Sequence, residues 1–312
     1  MKLKLIFSLM LTASVFSACK KEEPVQVVQE VYPLPGDRFF PEGIAFSLKT
    51  NIFYTGSTTT GDIEQVNVVT GETSLFSSGA KFGRTFCTGM KIDVMGRLWV
   101  CGGPTGIVQV IGKDGMTIKS WNLKSMYGAG FINDAIISGR YMYFTDSQQR
   151  NIYRVDVSSE TPGEMEIWLT FTDQQIAYVS PGTNANGIEA TPDGKYLIIV
   201  ISTSGKLFRI SIANKEIREI VLNVGVPSGD GILLDGNVLY VSRNATGFVF
   251  PVQLTADLLQ GTVGTGFGKN LLFNTTVTKA GKYLLVVNGQ LNKNNANSTP
   301  VLPFSVSRVA IP

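Results

Sequence analysis

Between residues 186 and 201 the chain changes from one short β-like run to another through a tight turn. The tripeptide Pro192-Asp193-Gly194 predicts a hairpin turn, because proline presets φ and glycine accepts a positive φ. The run from Tyr196 to Ile201 is apolar at every position and rich in branched residues. Such a run predicts a strand that is covered on both faces.

This unit recurs along the chain. A polar or small residue opens an apolar, strand-like segment six times, at intervals of about 45 residues. The six opening residues are Glu42, Thr88, Asn133, Asn186, Asp230 and Thr275. A period in this range, filled with short strands, is typical of propeller blades. We therefore predict an all-β chain in which residues 25–312 form one six-bladed β-propeller.

The sixth blade has no candidate for a fourth strand before the chain ends at Pro312. The β-like segment 25–31 is therefore expected to supply that strand and to close the ring, which protects edges otherwise open to aggregation. For the fifth blade, the fourth strand is expected at residues 270–273. No segment predicts a helix of three turns.

Composition narrows the classes of function. Charged residues make up 16% of the 312 residues and the net charge is +3, so the chain gives no reason to expect a nucleic-acid partner. Histidine is absent. This absence removes Ser/His and Cys/His nucleophile pairs, a histidine general base and every His-ligated metal site. We expect a monomer.

The first 18 residues have the parts of a signal peptide: Lys2 and Lys4, an apolar run and then small residues. Ser17-Ala18 before Cys19 resembles a bacterial lipobox, in which that cysteine is lipidated, although Phe16 stands where leucine is commoner. Residues 19–24 then form a charged tether. We expect a lipid anchor as the only membrane attachment, in the bacterial outer membrane, with periplasmic and surface display both open. The alternative is an ordinary secreted protein cut nearby.

Cys87 and Cys101 flank one predicted hairpin. An oxidising compartment would allow them to pair. Counted outward from the turn at Met95-Gly96, they lie about three residues out of register, so buried free thiols are the favoured state.

Four of the opening residues predict a metal site. The first strand of each blade lines the channel of a propeller, so Glu42, Asn133, Asn186 and Asp230 should converge near the axis. Two carboxylates and two amide carbonyls form an all-oxygen set that suits Ca²⁺, with Mg²⁺ and Zn²⁺ as alternatives. The competing interpretation is that Asn-Gly and Asp-Gly are simply turn dipeptides.

The chain resembles the gluconolactonase (senescence-marker-protein) family of six-bladed propellers over most of its length. The order Glu, Asn, Asn, Asp at blade spacing carries the resemblance, within residues 40–46, 132–135, 186–194 and 230–235. The resemblance implies that Glu42, Asn133, Asn186 and Asp230 bind a catalytic divalent cation and that Asp230 is the general base towards a lactone carbonyl.

One departure concerns the substrate. Family members that act on sugar lactones often have an arginine two residues before the blade-three asparagine, and here that residue is Phe131. Phe131 suits an apolar ring or a stacked sugar face better than a bidentate polar grip. The ending of the chain resembles a secreted sub-branch. The polar segment 288–303 is interpreted either as a lid or as a surface loop.

These observations predict a metal-dependent hydrolase of a lactone or ester. The alternative is a non-catalytic cell-surface or periplasmic propeller with a structural metal, which binds a glycan or a partner protein.

Overall fold

The hairpin expected at residues 192–194 is present in the computed structural model, which describes residues 29–312. Gly194 has a φ of +68°, and its N–H donates to the carbonyl of Thr191 at 2.9 Å. The signal peptide, Cys19 and the tether lie outside the described residues. Within residues 29–312, no helix is long and apolar enough to cross a membrane.

Each blade is a four-stranded antiparallel meander. The first strands are β2 (Pro41–Ser47), β6 (Met90–Ile92), β10 (Ile132–Ser138), β14 (Ala185–Ala190), β18 (Gly229–Asp235) and β22 (Asn274–Ala280). The second strands are β3 (Ile52–Ser57), β7 (Leu98–Cys101), β11 (Tyr141–Asp146), β15 (Tyr196–Ile201), β19 (Val238–Arg243) and β23 (Tyr283–Asn288). The third strands are β4 (Ile63–Asn67), β8 (Ile107–Ile111), β12 (Asn151–Asp156), β16 (Lys206–Ser211), β20 (Phe248–Leu254) and β24 (Phe304–Ala310). The outer strands are β5 (Thr73–Ser77), β9 (Thr117–Asn122), β13 (Glu166–Thr170), β17 (Ile217–Leu222), β21 (Gln260–Val263) and β1 (Val31–Leu34).

The blades form a closed ring. Neighbouring first strands contact one another in the order β2, β6, β10, β14, β18, β22 and back to β2. The hydrogen bonds define five sheets, because the outer strands β17 and β21 pair in parallel over two residues and join the fourth and fifth blades. The six-bladed all-β architecture is therefore confirmed, with two blades linked at their outer edges.

An N-terminal strand closes the sixth blade, but it lies later than expected. The predicted strand was residues 25–31, whereas β1 begins at Val31 and pairs antiparallel with β24. Residues 25–28 lie outside the described part of the chain. Tyr32 and Leu34 face the interior, and the Tyr32 hydroxyl donates to the carbonyl of Val68 in the first blade at 2.7 Å. This strand therefore joins the last blade to the first.

The hydrophobic core lies between the blades. Among the described residues there are six apolar clusters, each shared by two adjacent blades. At one interface the Trp99 ring stacks on Trp121 at 5.6 Å and tilts against Phe144 of the next blade at 6.3 Å. Cys87 and Cys101 are buried free thiols. Because each first strand is held on both sides, the channel residues have little freedom to move.

One strand prediction was wrong. Residues 270–273 do not form the outer strand of the fifth blade, which is β21. Asn270 and Phe273 have φ values of +58° and +47°, which no strand accommodates. The described helices are short: α1 (Leu123–Tyr127) and three single 3₁₀ turns at Ala80–Phe82, Asn244–Thr246 and Leu291–Lys293.

Candidate metal centre

The first strands carry a bulge at the opening residue. In five blades, the pairing of the first strand with the second changes register around the opening residue. The shift lies between the residue just before the opening residue and the residue two positions after it. In the first blade, for example, Pro41 pairs with Ser57 while Ile44 pairs with Thr55, so the first strand has one extra residue. Bulges of this kind re-aim a side chain. They place Glu42, Asn133, Asn186 and Asp230 at equivalent points around the axis.

The glycines after the openers do not form turns. Gly187 and Gly231 lie inside strands β14 and β18. A Cβ on Gly187 would lie 2.5 Å from the carbonyl oxygen of Asp230, and one on Gly43 would lie 2.2 Å from that of Thr88. Glycine is needed here because adjacent first strands approach too closely for any side chain. The turn interpretation of these dipeptides is therefore wrong for this structure.

One cavity of about 220 Å³ brings together Glu42, Asn133, Asn186 and Asp230. Each is only 3–5% exposed. The lining also includes hydroxyl, amide and apolar side chains: Thr58, Phe86, Thr88, Phe131, Thr183, Ser202, Asn244, Phe273 and Leu291. Phe131 is in the lining, and Leu291 adds one residue of the segment 288–303 to it.

The other two openers have a different role. The Thr88 hydroxyl donates to the carbonyl of Ile132 at 2.9 Å, and the Thr275 hydroxyl donates to the carbonyl of Glu42 at 2.7 Å. Both bonds connect neighbouring blades. These threonines therefore hold the ring together at the level of the cavity.

Hydrogen bonds orient two of the four side chains. The Asn133 amide donates to the Ser147 hydroxyl at 2.9 Å, and the Asn244 amide donates to Asp230 Oδ2 at 3.1 Å. Ser147 and Asn244 were not among the site residues predicted from the sequence. Each is the residue directly after the second strand of its blade. Thr58 and Ser202 occupy the same position in the first and fourth blades. This position in the repeat could therefore have identified Ser147 and Asn244 from the sequence.

Two of the residues that line the cavity carry a buried oxygen without a hydrogen-bond donor, namely Glu42 Oε2 and Asn133 Oδ1. A buried unpartnered acceptor is costly, so its presence requires an explanation. Among residues 29–312, no group of three or more His, Cys, Asp or Glu side chains is placed to hold a metal ion. Two carboxylates with two amide oxygens are nevertheless a donor set that Ca²⁺ accepts. The residues present fit such an ion.

The electrostatics of the site are dominated by buried negative charge. Burial, with the neighbouring carboxylates of Asp230 and Asp134, holds the pKa of Glu42 well above its usual range. Burial also raises the pKa of Asp230 to about 7, although hydrogen bonds from Asn244 and Asn186 lower this pKa. The ammonium of Lys91 in the second blade lies 3.4 Å from the carboxylate of Glu189 in the fourth blade. A cation in the cavity would relieve the repulsion among the three carboxylates.

Comparison with solved structures identifies the fold. The chain is 13% identical to the major allergen Mala s 1 of Malassezia sympodialis, with a TM-score of 0.65 over 90% of this chain and 96% of the other. A luciferin-regenerating enzyme gives 13% identity and a TM-score of 0.65 over 90% and 95%. A gluconolactonase of Xanthomonas campestris gives 15% identity and a TM-score of 0.61 over 89% and 88%.

The chain shares a β-propeller fold with these proteins. No protein-family model and no curated protein sequence matches the chain. At these identities, the likeness extends to the fold and no further.

Proposed function

We propose that the protein is a divalent-metal-dependent hydrolase of a lactone or ester. Glu42, Asn133, Asn186 and Asp230 hold the cation, which is Ca²⁺ in preference to Mg²⁺ or Zn²⁺. The observation that carries this proposal is that two residues lining the same cavity as Asp230 each have a buried oxygen without a hydrogen-bond donor, Glu42 Oε2 and Asn133 Oδ1.

When bound, a divalent cation supplies positive charge that polarises a carbonyl oxygen. The remaining chemistry belongs to the chain. Asp230 accepts the proton of the attacking water and returns it to the alkoxide that leaves when the acyl C–O bond breaks, since the chain has no histidine to do so. Asn244 fixes Oδ2 of this carboxylate by its 3.1 Å hydrogen bond and so orients the base.

The neighbours support the hydrolase and keep one alternative. A gluconolactonase and a luciferin-regenerating enzyme are enzymes by name, and the first name is that of a lactone hydrolase. The allergen Mala s 1 has a name that states no reaction. A binding propeller with a structural metal is therefore the second candidate.

The test is a panel of aromatic and aliphatic lactones, assayed with Ca²⁺ and with a chelator. We expect hydrolysis that requires Ca²⁺ and falls at least about 100-fold in Asp230→Asn, as removal of a general base predicts. Asp235→Asn is the matched control, because Asp235 ends the same strand and pairs with Lys279 at the surface.

Hydrolysis that survives both chelation and Asp230→Asn would refute the proposal. Thermal stabilisation by Ca²⁺ without any hydrolysis would favour the binding propeller.

A further inference from the structure

Three phenylalanines at one repeat phase line the cavity. Phe86, Phe131 and Phe273 each lie two residues before an opener, in the second, third and sixth blades. All three are half-buried, and the Phe86 and Phe131 rings meet edge to face with centroids 6.2 Å apart. We call these three side chains the aromatic rim.

The rim is held in place by its backbone. Asp146 is fully buried, and its Oδ1 accepts the N–H of Phe131 while its Oδ2 accepts that of Gly130, both at 2.9 Å. Phe273 has a φ of +47°, a left-handed conformation that is rare for a bulky residue. Such conformations persist where the surrounding structure enforces them. A rim fixed in this way offers a ligand a preorganised apolar surface.

The rest of the lining carries no positive charge. Among the described residues that line the cavity there is no lysine or arginine, and Leu291 adds a fourth apolar side chain. A charged or polyhydroxylated ligand would therefore find no bidentate cationic partner there. At about 220 Å³, the cavity is also smaller than the roughly 300–1,000 Å³ of sites for drug-sized molecules.

We propose that the ligand is a small, uncharged lactone or ester whose carbonyl lies next to a flat apolar ring, and that the aromatic rim selects this ring. The ring packs against Phe131 and Phe86, and the carbonyl oxygen faces the position at which Glu42 and Asn133 would hold the cation. This inference rests on the proposed function for the reacting group. Recognition of the ring is independent of turnover and is testable without it.

The test is the binding of two non-hydrolysable lactams to the Ca²⁺-loaded full chain by calorimetry. One is benzo-fused, 3,4-dihydroquinolin-2-one, and the other is polyhydroxylated, gluconolactam. We expect the benzo-fused lactam to bind at least about tenfold more tightly, which equals roughly 1.4 kcal/mol. Phe131→Ala should weaken its binding about tenfold, and Phe131→Arg should reduce or reverse the preference.

The matched control is Phe248→Ala, which removes an exposed phenylalanine at the start of β20 and should leave binding unchanged. Thermal unfolding of each variant shows whether it is folded. Three results would each refute selection of the ligand by the aromatic rim. These are equal binding of the two lactams, no binding of either, and an unchanged affinity in folded Phe131→Ala and Phe131→Arg. Preferential binding without hydrolysis of the corresponding lactones would leave the rim in place and defeat the proposed reaction.

Discussion

Replacement of Asp230 by asparagine tests the metal centre most directly. The change keeps the size of the side chain and removes one of two carboxylate charges among the four proposed ligands. Glu42 would then carry the only ligand charge, in a site where it is buried. Asp230 and the cation would form a buried pair of opposite charges, and loss of one partner of such a pair costs about 3–5 kcal/mol. At 1.4 kcal/mol per tenfold, we expect the Ca²⁺ affinity to fall roughly 10²- to 4 × 10³-fold.

The pKa of Asp230 gives this prediction a pH signature. Burial raises that pKa to about 7, so a cation that needs the carboxylate must displace a proton below this pH. The ionised fraction falls from about one half at pH 7 to about 1% at pH 5. The wild-type affinity should therefore fall about 50-fold between these pH values. Asp230→Asn should lose this part of the pH dependence.

Isothermal titration calorimetry measures both quantities. Titrations in two buffers of different ionisation enthalpy count the protons released, and Asp235→Asn serves as the surface control on the same strand. An unchanged Ca²⁺ affinity in Asp230→Asn, or a wild-type affinity that is constant between pH 5 and pH 7, would contradict the assignment.

Three further predictions concern stability. Tyr32→Ala should lower the free energy of unfolding in urea by about 3–5 kcal/mol, as for a truncated core aromatic. Val31→Ala, on the exposed face of β1, should lower it little. Equal effects of the two substitutions would mean that the strand does not close the ring. Gly187→Ala should destabilise the fold by about 1–3 kcal/mol and weaken Ca²⁺ binding, because its Cβ would lie 2.5 Å from the backbone oxygen of Asp230. Gly225→Ala is the control, since a Cβ there has ordinary space. A Gly187→Ala variant of unchanged stability would speak against the close approach of the first strands. In chelator, the Asp230 contribution to stability should be full below about pH 4 and lost as the pH rises to about 7, because the folded state retains a proton that the unfolded chain releases. Urea midpoints of wild type and Asp230→Asn between pH 4.5 and 7.5 measure that difference, and a difference that does not change with pH would count against it.

The two misplaced strands show where sequence patterns were insufficient. Residues 271–273 are apolar, and Leu271 packs in the core between the fifth and sixth blades, but the backbone there is not extended. The strand β21 is only four residues long and pairs at an outer edge, so its own sequence carries a weak signal. In β1, Pro33 conceals the alternation of Tyr32 and Leu34. An outer strand accepts proline because the strand has no hydrogen-bonded neighbour on one side, so a backbone N–H pointing to that side is not needed.

The repeat was readable because local patterns report it. Alternating and continuous apolar runs, the turn residues between them and the constant spacing of the openers are properties of short segments, and together they determine a six-bladed propeller. The same spacing singles out Glu42, Asn133, Asn186 and Asp230, since equivalent positions in equivalent blades must meet at the axis.

Only the tertiary structure decides what each opener does. The bulge that aims Asp230 into the channel depends on its pairing with the second strand, and the Cβ clash that requires Gly187 involves the neighbouring blade. The orientation of Asn133 depends on Ser147, fourteen residues away. Contacts between blades also distinguish Thr88, whose hydroxyl donates to the carbonyl of Ile132 in the next blade, from Glu42 and Asn133, which have buried oxygens without a donor. These distinctions depend on distances across the ring, and a pattern within one segment does not contain them.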